Sequence, residues 1–307
     1  MTRSYVLLVL CVFIWALNYI SRQYLLREFS PLLLSALSLT LVSCVFLIGA
    51  LFTRSLVKVT RNEIMFLLLS AVIGLIANQI FLFQGLKYTT ATNASLIFTL
   101  SPLITAGLSA AFLKEKVTWR MIAGCVTALA GLCLALNTNG LVFHAGDLLL
   151  FGATFTFSCN LIFTRFLSRR LSPFIITVYS FGLSALFFDP FVLAFSGAGI
   201  EWNHSWSTWG LLLVSVLVAQ GLTGVMWNKG MQTVGAAKAS IVLNLQPLMT
   251  MMLELLLFRH SVSFQQVFGI SLVFIGVLFA TLQLGYVHTK KKSRMDKNNN
   301  NCEINCK

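Results

Sequence analysis

Two asparagines stand at corresponding places in two long apolar runs, and each follows an aromatic residue by three positions. Trp15 precedes Asn18 in the first run, and Phe157 precedes Asn160 in a later one. A side-chain amide both donates and accepts hydrogen bonds, and beside an aromatic wall it suits the binding of a small organic solute. Hydrogen bonding between neighbouring helices is the alternative for each asparagine taken alone. Because the pattern occurs twice, we predict that all four residues line a cavity.

A second recurring pattern places hydroxyl or amide side chains on the same helix face as a proline. The pattern occurs as Ser95, Thr99 and Pro102 and again as Ser240, Asn244 and Pro247. Residues spaced by three or four positions share a helix face, and proline weakens the bonding of the carbonyl four residues before it. Exposed backbone polarity is tolerated in a membrane beside a cavity. We therefore expect both segments to line the cavity, with an ordinary proline kink as the alternative.

Two amides and one more tryptophan complete the predicted cavity. They are Gln79, Gln220 and Trp227, the last of which could instead lie in an interfacial aromatic belt. Arg22 ends the first apolar run and is counted on the external side, and no cation is expected at the centre of the cavity. A lining of amides, hydroxyls and aromatic rings favours a neutral or zwitterionic solute, such as an amino acid or related metabolite, over a polyanion. A hydrophobic drug is the alternative.

An intramembrane enzyme would need a nucleophile with a base, or a metal cluster, at membrane depth. The four histidines lie at the ends of apolar runs or outside them, at His144, His204, His260 and His288. The sequence contains neither a His-Glu-x-x-His nor a Gly-x-Ser-x-Gly motif. Five of the seven cysteines lie inside apolar runs, where cysteine acts as a small hydrophobic residue. We therefore expect neither catalysis nor a metal or other cofactor.

The composition indicates that a membrane surrounds these residues. The chain has 307 residues, of which 57% are hydrophobic and 10% charged, with a mean hydropathy of +0.85. Soluble domains carry about 25% charged residues, so soluble enzymes and nucleic-acid-binding proteins are excluded and membrane lipids are expected partners. At about 20 residues per crossing, ten helices would use about two thirds of the chain. We predict an all-α polytopic membrane protein with ten transmembrane helices.

The positions of the basic residues orient these helices. The ten predicted spans are residues 4–22, 31–53, 63–86, 92–113, 118–137, 146–166, 173–196, 208–230, 237–258 and 264–286. In this arrangement 18 of the 22 Lys and Arg residues fall on the side of the two termini and 4 on the other. Basic loops stay in the cytoplasm, so we predict a multi-pass protein of the cell (inner) membrane with both termini cytoplasmic. The tail 288–307 is expected to be disordered, as a topology signal or as a site for anionic headgroups.

The two halves of the sequence are related to each other. Asn18 corresponds to Asn160 at an offset of 142 residues, and the two prolines correspond at an offset of 145. The predicted units are residues 1–138 and 139–287, each with five spans. Because five is an odd number, the second unit must enter the membrane from the opposite side. This construction is the inverted repeat of many secondary transporters.

Over nearly its whole length the sequence resembles the ten-helix, EamA-type branch of the drug/metabolite transporter superfamily. The resemblance is carried by the duplicated five-helix unit and by three short motifs. These are Trp15-Ala16-x-Asn18 in the first span, Asn93-Ala94-Ser95 with Ser101-Pro102 in the fourth, and Lys114-Glu115-Lys116 before the fifth. Such motifs identify the superfamily well and the substrate poorly.

The resemblance implies a transporter that moves small metabolites, often outward, by alternating access. It implies a central cavity lined mainly by helices one, three, four, six, eight and nine, with helices five and ten at the periphery. The four-helix drug pumps of the superfamily carry a glutamate in helix one, and here that helix has no carboxylate, which puts proton antiport by that device in doubt. We expect a small-molecule substrate, no nucleic-acid partner, and a chain that could act as a monomer.

Overall fold

A computed structural model of the chain describes residues 2–89, 94–95, 97–114, 118–136, 145–196, 205–258 and 264–281. Its secondary structure in these ranges is helical and contains no strand. Ten helical segments follow one another: α1 Thr2–Leu25, α2 Pro31–Phe52, α3 Arg61–Lys87, α4 Phe98–Leu113, α5 Trp119–Leu136, α6 Ala145–Leu167, α7 Pro173–Ser196, α8 Trp206–Val234, α9 236–258 and α10 Phe264–Thr281. The predicted tail 288–307 lies outside the described residues.

The helices match the predicted spans in number and order. Six of them, α1, α2, α3, α6, α7 and α8, are long and apolar enough to cross a membrane. The apolar stretches of α4, α5 and α10 are shorter within the described residues. Each of the ten segments overlaps one predicted span, although α1 extends two residues before and three residues after the predicted 4–22. The prediction of an all-α polytopic membrane protein is confirmed.

Matching sequence signals begin α2 and α7 in the same way. Ser30 precedes Pro31, and Ser172 precedes Pro173. Each serine Oγ accepts a hydrogen bond, at 3.3 Å, from the backbone N–H three residues later, which satisfies one of the unbonded N–H groups of the first helical turn. Proline suits the first helical position because its missing N–H would be unbonded there anyway. At the far end of α8, Gly235 has a φ of 91°, which glycine adopts without strain.

Contacts between helices follow the internal repeat. α1 packs on α8, and its counterpart α6 packs on α3, which is the counterpart of α8. α2 packs on α7, α4 on α9 and α5 on α10, so each of these helices contacts its own counterpart. Such pairing is what a pseudo-two-fold axis between two five-helix units produces. With five crossings in each unit, the axis lies in the membrane plane.

Four glycines bring α5 and α10 into close contact. A Cβ atom built on Gly131 would lie 2.5 Å from the backbone oxygen of Gly269, and one built on Gly276 would lie 2.5 Å from that of Gly124. Both distances are well inside van der Waals contact, so larger residues would have to push the two backbones apart. Small residues allow membrane helices to approach in this way. The two contacts are equivalent under the repeat.

Four irregular turns occur at equivalent places in the two halves. π-helical turns span Ser70–Ala77 in α3 and Val214–Leu222 in α8. 3₁₀ turns span Phe98–Leu100 in α4 and Leu243–Leu245 in α9, and each ends two residues before a proline. π turns inside α-helices are rare and occur mostly at functional sites. All four segments contribute residues to one central cavity.

Polar contacts tie α3, α6 and α8 together at the end of the bundle that is predicted to face the cytoplasm. Arg170, between α6 and α7, donates from Nε to Glu63 Oε1 at 2.6 Å, and this hydrogen bond raises the pKa of Arg170. The same carboxylate accepts the backbone N–H of Thr60 at 2.7 Å and so caps α3. Arg165 of α6 donates to the carbonyl oxygen of Gln232 in the last turn of α8 at 2.8 Å. The helix ends at this side are therefore fastened to one another.

Candidate functional site

A cavity of about 150 Å³ lies among α1, α3, α6, α7 and α8. Seven of the twelve residues predicted from the sequence line it, namely Trp15, Asn18, Gln79, Phe157, Asn160, Gln220 and Trp227. α4 contributes only Phe98, and α9 contributes Leu243 and Gln246. α7 adds four residues, among them Thr177 and Ser180, although the family resemblance did not indicate that this helix would line the cavity.

Asn18 and Asn160 make equivalent hydrogen bonds in the two halves of the cavity wall. The Ser70 hydroxyl of α3 donates to Asn160 Oδ1 at 2.6 Å. The Ser215 hydroxyl of α8 donates to Asn18 Oδ1. The two serines are 145 residues apart and lie in the two π turns. Each asparagine oxygen therefore fixes a helix–helix contact, and the amide N–H groups of these two lining residues are candidate donors to a solute.

Close packing of α3 against α6 holds Asn160 in this position. A Cβ atom built on Gly74, in the π turn of α3, would overlap with the side-chain oxygen of Asn160. Asn78, one turn further along α3, donates from Nδ2 to the backbone oxygen of Ala153 in α6 at 2.7 Å. The amide of Asn78 therefore serves helix packing, although the residue borders the cavity.

Aromatic rings form one wall of the cavity. The ring centroid of Trp15 lies 4.9 Å from that of Trp227 and 6.1 Å from that of Phe157. Phe157 in turn lies 5.7 Å from Phe98. Trp15 Nε1 donates to the backbone oxygen of Ala219 at 2.8 Å, which fixes the orientation of the indole. Trp227 is 3% exposed and belongs to this wall rather than to an interfacial belt.

The other five predicted residues do not line this cavity: Ser95, Thr99, Pro102, Asn244 and Pro247. All five are buried, Ser95 just before α4 and the other four within α4 and α9. In their place the side chains of Phe98 and Leu243 lie in the wall. A 3₁₀ turn has three residues per turn instead of 3.6, so the turns before the two prolines rotate these segments out of the α-helical register on which the prediction relied.

Arg22 lies in the cavity wall, although the charge pattern counted it among the basic residues of the external side. Its Nη2 donates to Gln220 Oε1 at 2.8 Å, and its guanidinium carbon lies 5.0 Å from the centre of the Phe83 ring. Among the lining residues that the structure describes, it is the one charged side chain. Because α1 continues beyond it, Arg22 shares a helix face with Trp15 and Asn18. The expectation of a cavity without a cation was therefore wrong, and this spacing was the signal that could have shown it.

Several buried polar atoms around the cavity lack a hydrogen-bond partner among the described residues. They are Gln79 Oε1, Ser180 Oγ, Gln220 Nε2 and Trp227 Nε1. An unpaired buried polar group costs about 1–3 kcal/mol. All four residues line the cavity, so these atoms are candidate contacts for the polar groups of a solute.

Comparison with known proteins finds the same two halves. The sequence model of the EamA-like transporter family matches residues 2–137 and, a second time, residues 144–282. The chain belongs to the EamA-like transporter family. Membership of the drug/metabolite transporter superfamily follows, as the sequence motifs predicted.

Proteins named as transporters are similar to the chain, two of them along most of its length. The "Uncharacterized transporter YyaM" of Bacillus subtilis (strain 168) is 28% identical over 281 residues, which are 88% of this chain and 92% of that protein. An "Uncharacterized transporter" of Archaeoglobus fulgidus is 25% identical over 287 residues, which are 91% and 98% of the two chains. The "S-adenosylmethionine/S-adenosylhomocysteine transporter" of Chlamydia muridarum (strain MoPn / Nigg) is 28% identical over 134 residues, 44% of this chain and 42% of its own.

The fold is also known from a crystal structure. That protein is 19% identical in sequence, and the superposition covers 93% of this chain and 98% of the other with a TM-score of 0.70. At this level of identity the similarity establishes the shared fold.

Proposed function

We propose that this EamA-family protein is a secondary transporter of the cell (inner) membrane that moves small metabolites outward by alternating access. Its solutes are amino acids or related neutral or zwitterionic compounds. The observation that carries the proposal is the pair Asn18 and Asn160, placed at equivalent points of one cavity by the serines of two equivalent π turns.

The symmetry of the cavity supports an alternating mechanism. Inverted repeats let one unit take up the conformation of the other, so that a site between them opens first to one side of the membrane and then to the other. Both units contribute an aromatic residue and an asparagine to the site. A solute bound between the units would stay hydrogen-bonded to the asparagine amides of the protein while the surrounding helices move.

The polar part of the lining favours metabolites over hydrophobic drugs. The aromatic wall alone would suit either class, because stacking needs only an apolar face. The asparagine amides, Arg22 and the unpaired atoms of Gln79 and Gln220 would be left without partners by an apolar drug. Transport leaves the solute chemically unchanged, and the relatives described above carry the name of uncharacterized transporters.

Counterflow in proteoliposomes tests the proposed function. The purified protein is reconstituted with a panel of amino acids and related metabolites, and exchange of labelled solute is measured together with its chemical identity. We expect accelerated exchange of at least one unmodified solute. Conversion of a solute to a product would indicate an enzyme instead, and no exchange across the panel would contradict the transport proposal.

Replacement of either cavity asparagine by leucine should impair transport. Asn18→Leu and Asn160→Leu each remove an amide donor from the cavity, and loss of one hydrogen bond weakens binding by about 0.5–1.5 kcal/mol. We expect a roughly two- to tenfold lower transport rate at low solute concentration in each variant. The measurement is counterflow normalised to folded protein in the vesicles.

Asn62→Leu is the matched control, because Asn62 is exposed in the first turn of α3 and lies away from the cavity. It makes the same chemical change and should leave transport unaltered. Normal transport by both cavity variants would mean that the two asparagines act only in helix packing.

A further inference from the structure

We propose that Arg22 binds a carboxylate of the transported solute, so that the protein prefers carboxylate-bearing zwitterions and small organic acids over organic cations and uncharged compounds. The proposal rests on the proposed transport function and names the solute class of that same cavity. Its starting point is a single guanidinium in the wall of a membrane cavity.

The charge of Arg22 is not neutralised by the protein residues around it. Among the described residues its contacts are the neutral amide of Gln220 and the ring of Phe83, and no described lining residue is acidic. The carbonyl groups at the end of α1 favour a nearby cation, but they supply only a fraction of a negative charge. A charged side chain within a membrane protein is costly and usually marks a substrate path or a partner. The missing counter-charge can therefore come from the solute.

The geometry around the guanidinium suits a carboxylate. Arginine presents five N–H groups in a planar fork that can bond both carboxylate oxygens, and Gln220 accepts from only one nitrogen of that fork. The amide nitrogen of Gln220 is buried without a partner among the described residues. It belongs to the amide whose oxygen contacts Arg22, so it is a candidate second donor to a carboxylate bound there. The ring of Phe83 supports the guanidinium from one side.

The remainder of the cavity sets the size of the solute. Trp15 precedes Arg22 by seven residues on α1, which is a rise of about 10 Å. A solute whose carboxylate lies at Arg22 can therefore place an apolar body of about one ring against Trp15, Phe157 and Trp227. The volume of about 150 Å³ equals that of an engineered cavity that binds benzene. Gln79 Oε1, which has no partner among the described residues, is a candidate acceptor for a donor on the solute.

The charge also breaks the symmetry of the cavity. The residue that corresponds to Arg22 in the second half is Thr164, which lines the cavity as well. Only one of the two equivalent positions can therefore hold an anion. The solute should bind in a single orientation, with its carboxylate between α1 and α8.

Three probes with the same body and different head groups test the proposal. They are 3-phenylpropanoate, 3-phenylpropanamide and 3-phenylpropylamine, and their binding to the purified protein is measured by calorimetry and by the shift in thermal unfolding. We expect the acid to bind at least about tenfold more tightly than the amide, which corresponds to 1.4 kcal/mol, and the amine to bind most weakly. Equal binding of acid and amide, or binding of none of the three, would overturn the proposal.

Substitutions of Arg22 identify the group responsible. Arg22→Gln should remove the preference for the acid, whereas Arg22→Lys should keep part of it, because lysine retains the charge without the planar fork. Arg27→Gln is the matched control, since Arg27 is exposed just beyond α1 near the ring of Tyr24, and it should bind the acid as the wild type does. A preference for the acid that persists in Arg22→Gln would contradict the assignment.

Counterflow of 3-phenylpropanoate separates this proposal from the proposed function. Binding that depends on Arg22, without counterflow of the acid or of any panel metabolite, would leave the carboxylate site standing and contradict transport. Counterflow of panel metabolites that is equally fast in the wild type and in Arg22→Gln would support transport and contradict the carboxylate site at Arg22. If Arg22→Gln does not fold, the comparison of head groups in the wild type and in Arg22→Lys still decides the matter.

Discussion

At the scale of single residues, the position of Asn160 depends on the absence of a side chain at Gly74. A methyl group at Gly74 would overlap with the Asn160 oxygen, and it would also crowd the hydrogen bond from Ser70. We expect Gly74→Ala to lower the free energy of unfolding by about 1–3 kcal/mol, which is typical of overpacking. Transport should fall several-fold, because Asn160 is displaced from the cavity wall. Thermal unfolding in detergent and counterflow per folded protein measure the two effects.

Gly210→Ala is the control for this substitution. A Cβ atom at Gly210 would meet nothing within 4 Å, and alanine favours helix by about 1 kcal/mol over glycine. The control should therefore be as stable as the wild type or more stable, with normal transport. Full activity of Gly74→Ala would show that Asn160 tolerates displacement and does not contact the solute.

At the scale of helices, a proline follows each of the 3₁₀ turns in α4 and α9 by two residues. Pro102→Ala and Pro247→Ala should each allow a more regular helix, because alanine restores the backbone N–H that proline lacks. Phe98 and Leu243 lie in the cavity wall through these turns, so we expect slower turnover with substrate binding largely kept. A maximal counterflow rate that falls while the half-saturating concentration stays constant would show this.

Pro31→Ala and Pro173→Ala are the matched controls for the proline variants. These two prolines occupy the first position of α2 and α7, where a missing N–H breaks no helical hydrogen bond. Turnover should be unchanged in both controls. If it is also unchanged in the variants of α4 and α9, the 3₁₀ turns take no part in the transport cycle.

The contact between α5 and α10 gives a prediction about stability. Gly131→Ala and Gly276→Ala would each place a methyl group 2.5 Å from a backbone oxygen of the facing helix. Because backbones cannot move aside as flexible side chains do, we expect each variant to lose about 1–3 kcal/mol of unfolding free energy. Gly107→Ala, where a Cβ atom would meet nothing within 4 Å, should not lose stability in thermal unfolding. Equal midpoints for all three variants would contradict the close helix contact.

At the scale of the whole molecule, the inverted repeat makes a prediction about topology. Reporter domains fused after cytoplasmic positions should be active in the cytoplasm, and those fused in external loops should not. The cytoplasmic fusion sites are Arg61, Arg120, Arg170 and Lys292, and the external ones are Gly140 and His204. The cytoplasmic location of the first four sites follows from the distribution of basic residues. A cytoplasmic signal at His204 would contradict the ten-helix arrangement, because this residue lies in the longest predicted external loop.

The sequence by itself was enough for the class of protein, the repeat and part of the site. Hydropathy and charge are sums over short stretches, so they indicate membrane helices without knowledge of helix packing. The offset that relates Asn18 to Asn160 is visible in the linear sequence, and it predicted two residues that do line one cavity. Helix periodicity was also sufficient for Trp15 and Phe157, because α1 and α6 are regular helices at these positions.

Contacts between distant residues could not be read from the sequence. The bond from Ser215 to Asn18 joins residues 197 positions apart, and the bond from Arg22 to Gln220 joins residues 198 apart. Arg22 was counted on the external side because a charge at the end of an apolar run usually marks its boundary. Its spacing from Trp15 and Asn18 indicates its helix face, and the packing of α1 against α8 places that face in the cavity. The residues of α4 that were predicted to line the cavity do not line it for a related reason, since a 3₁₀ turn changes the face that a helix presents. These features depend on how helices pack, which a periodic pattern along one helix does not contain.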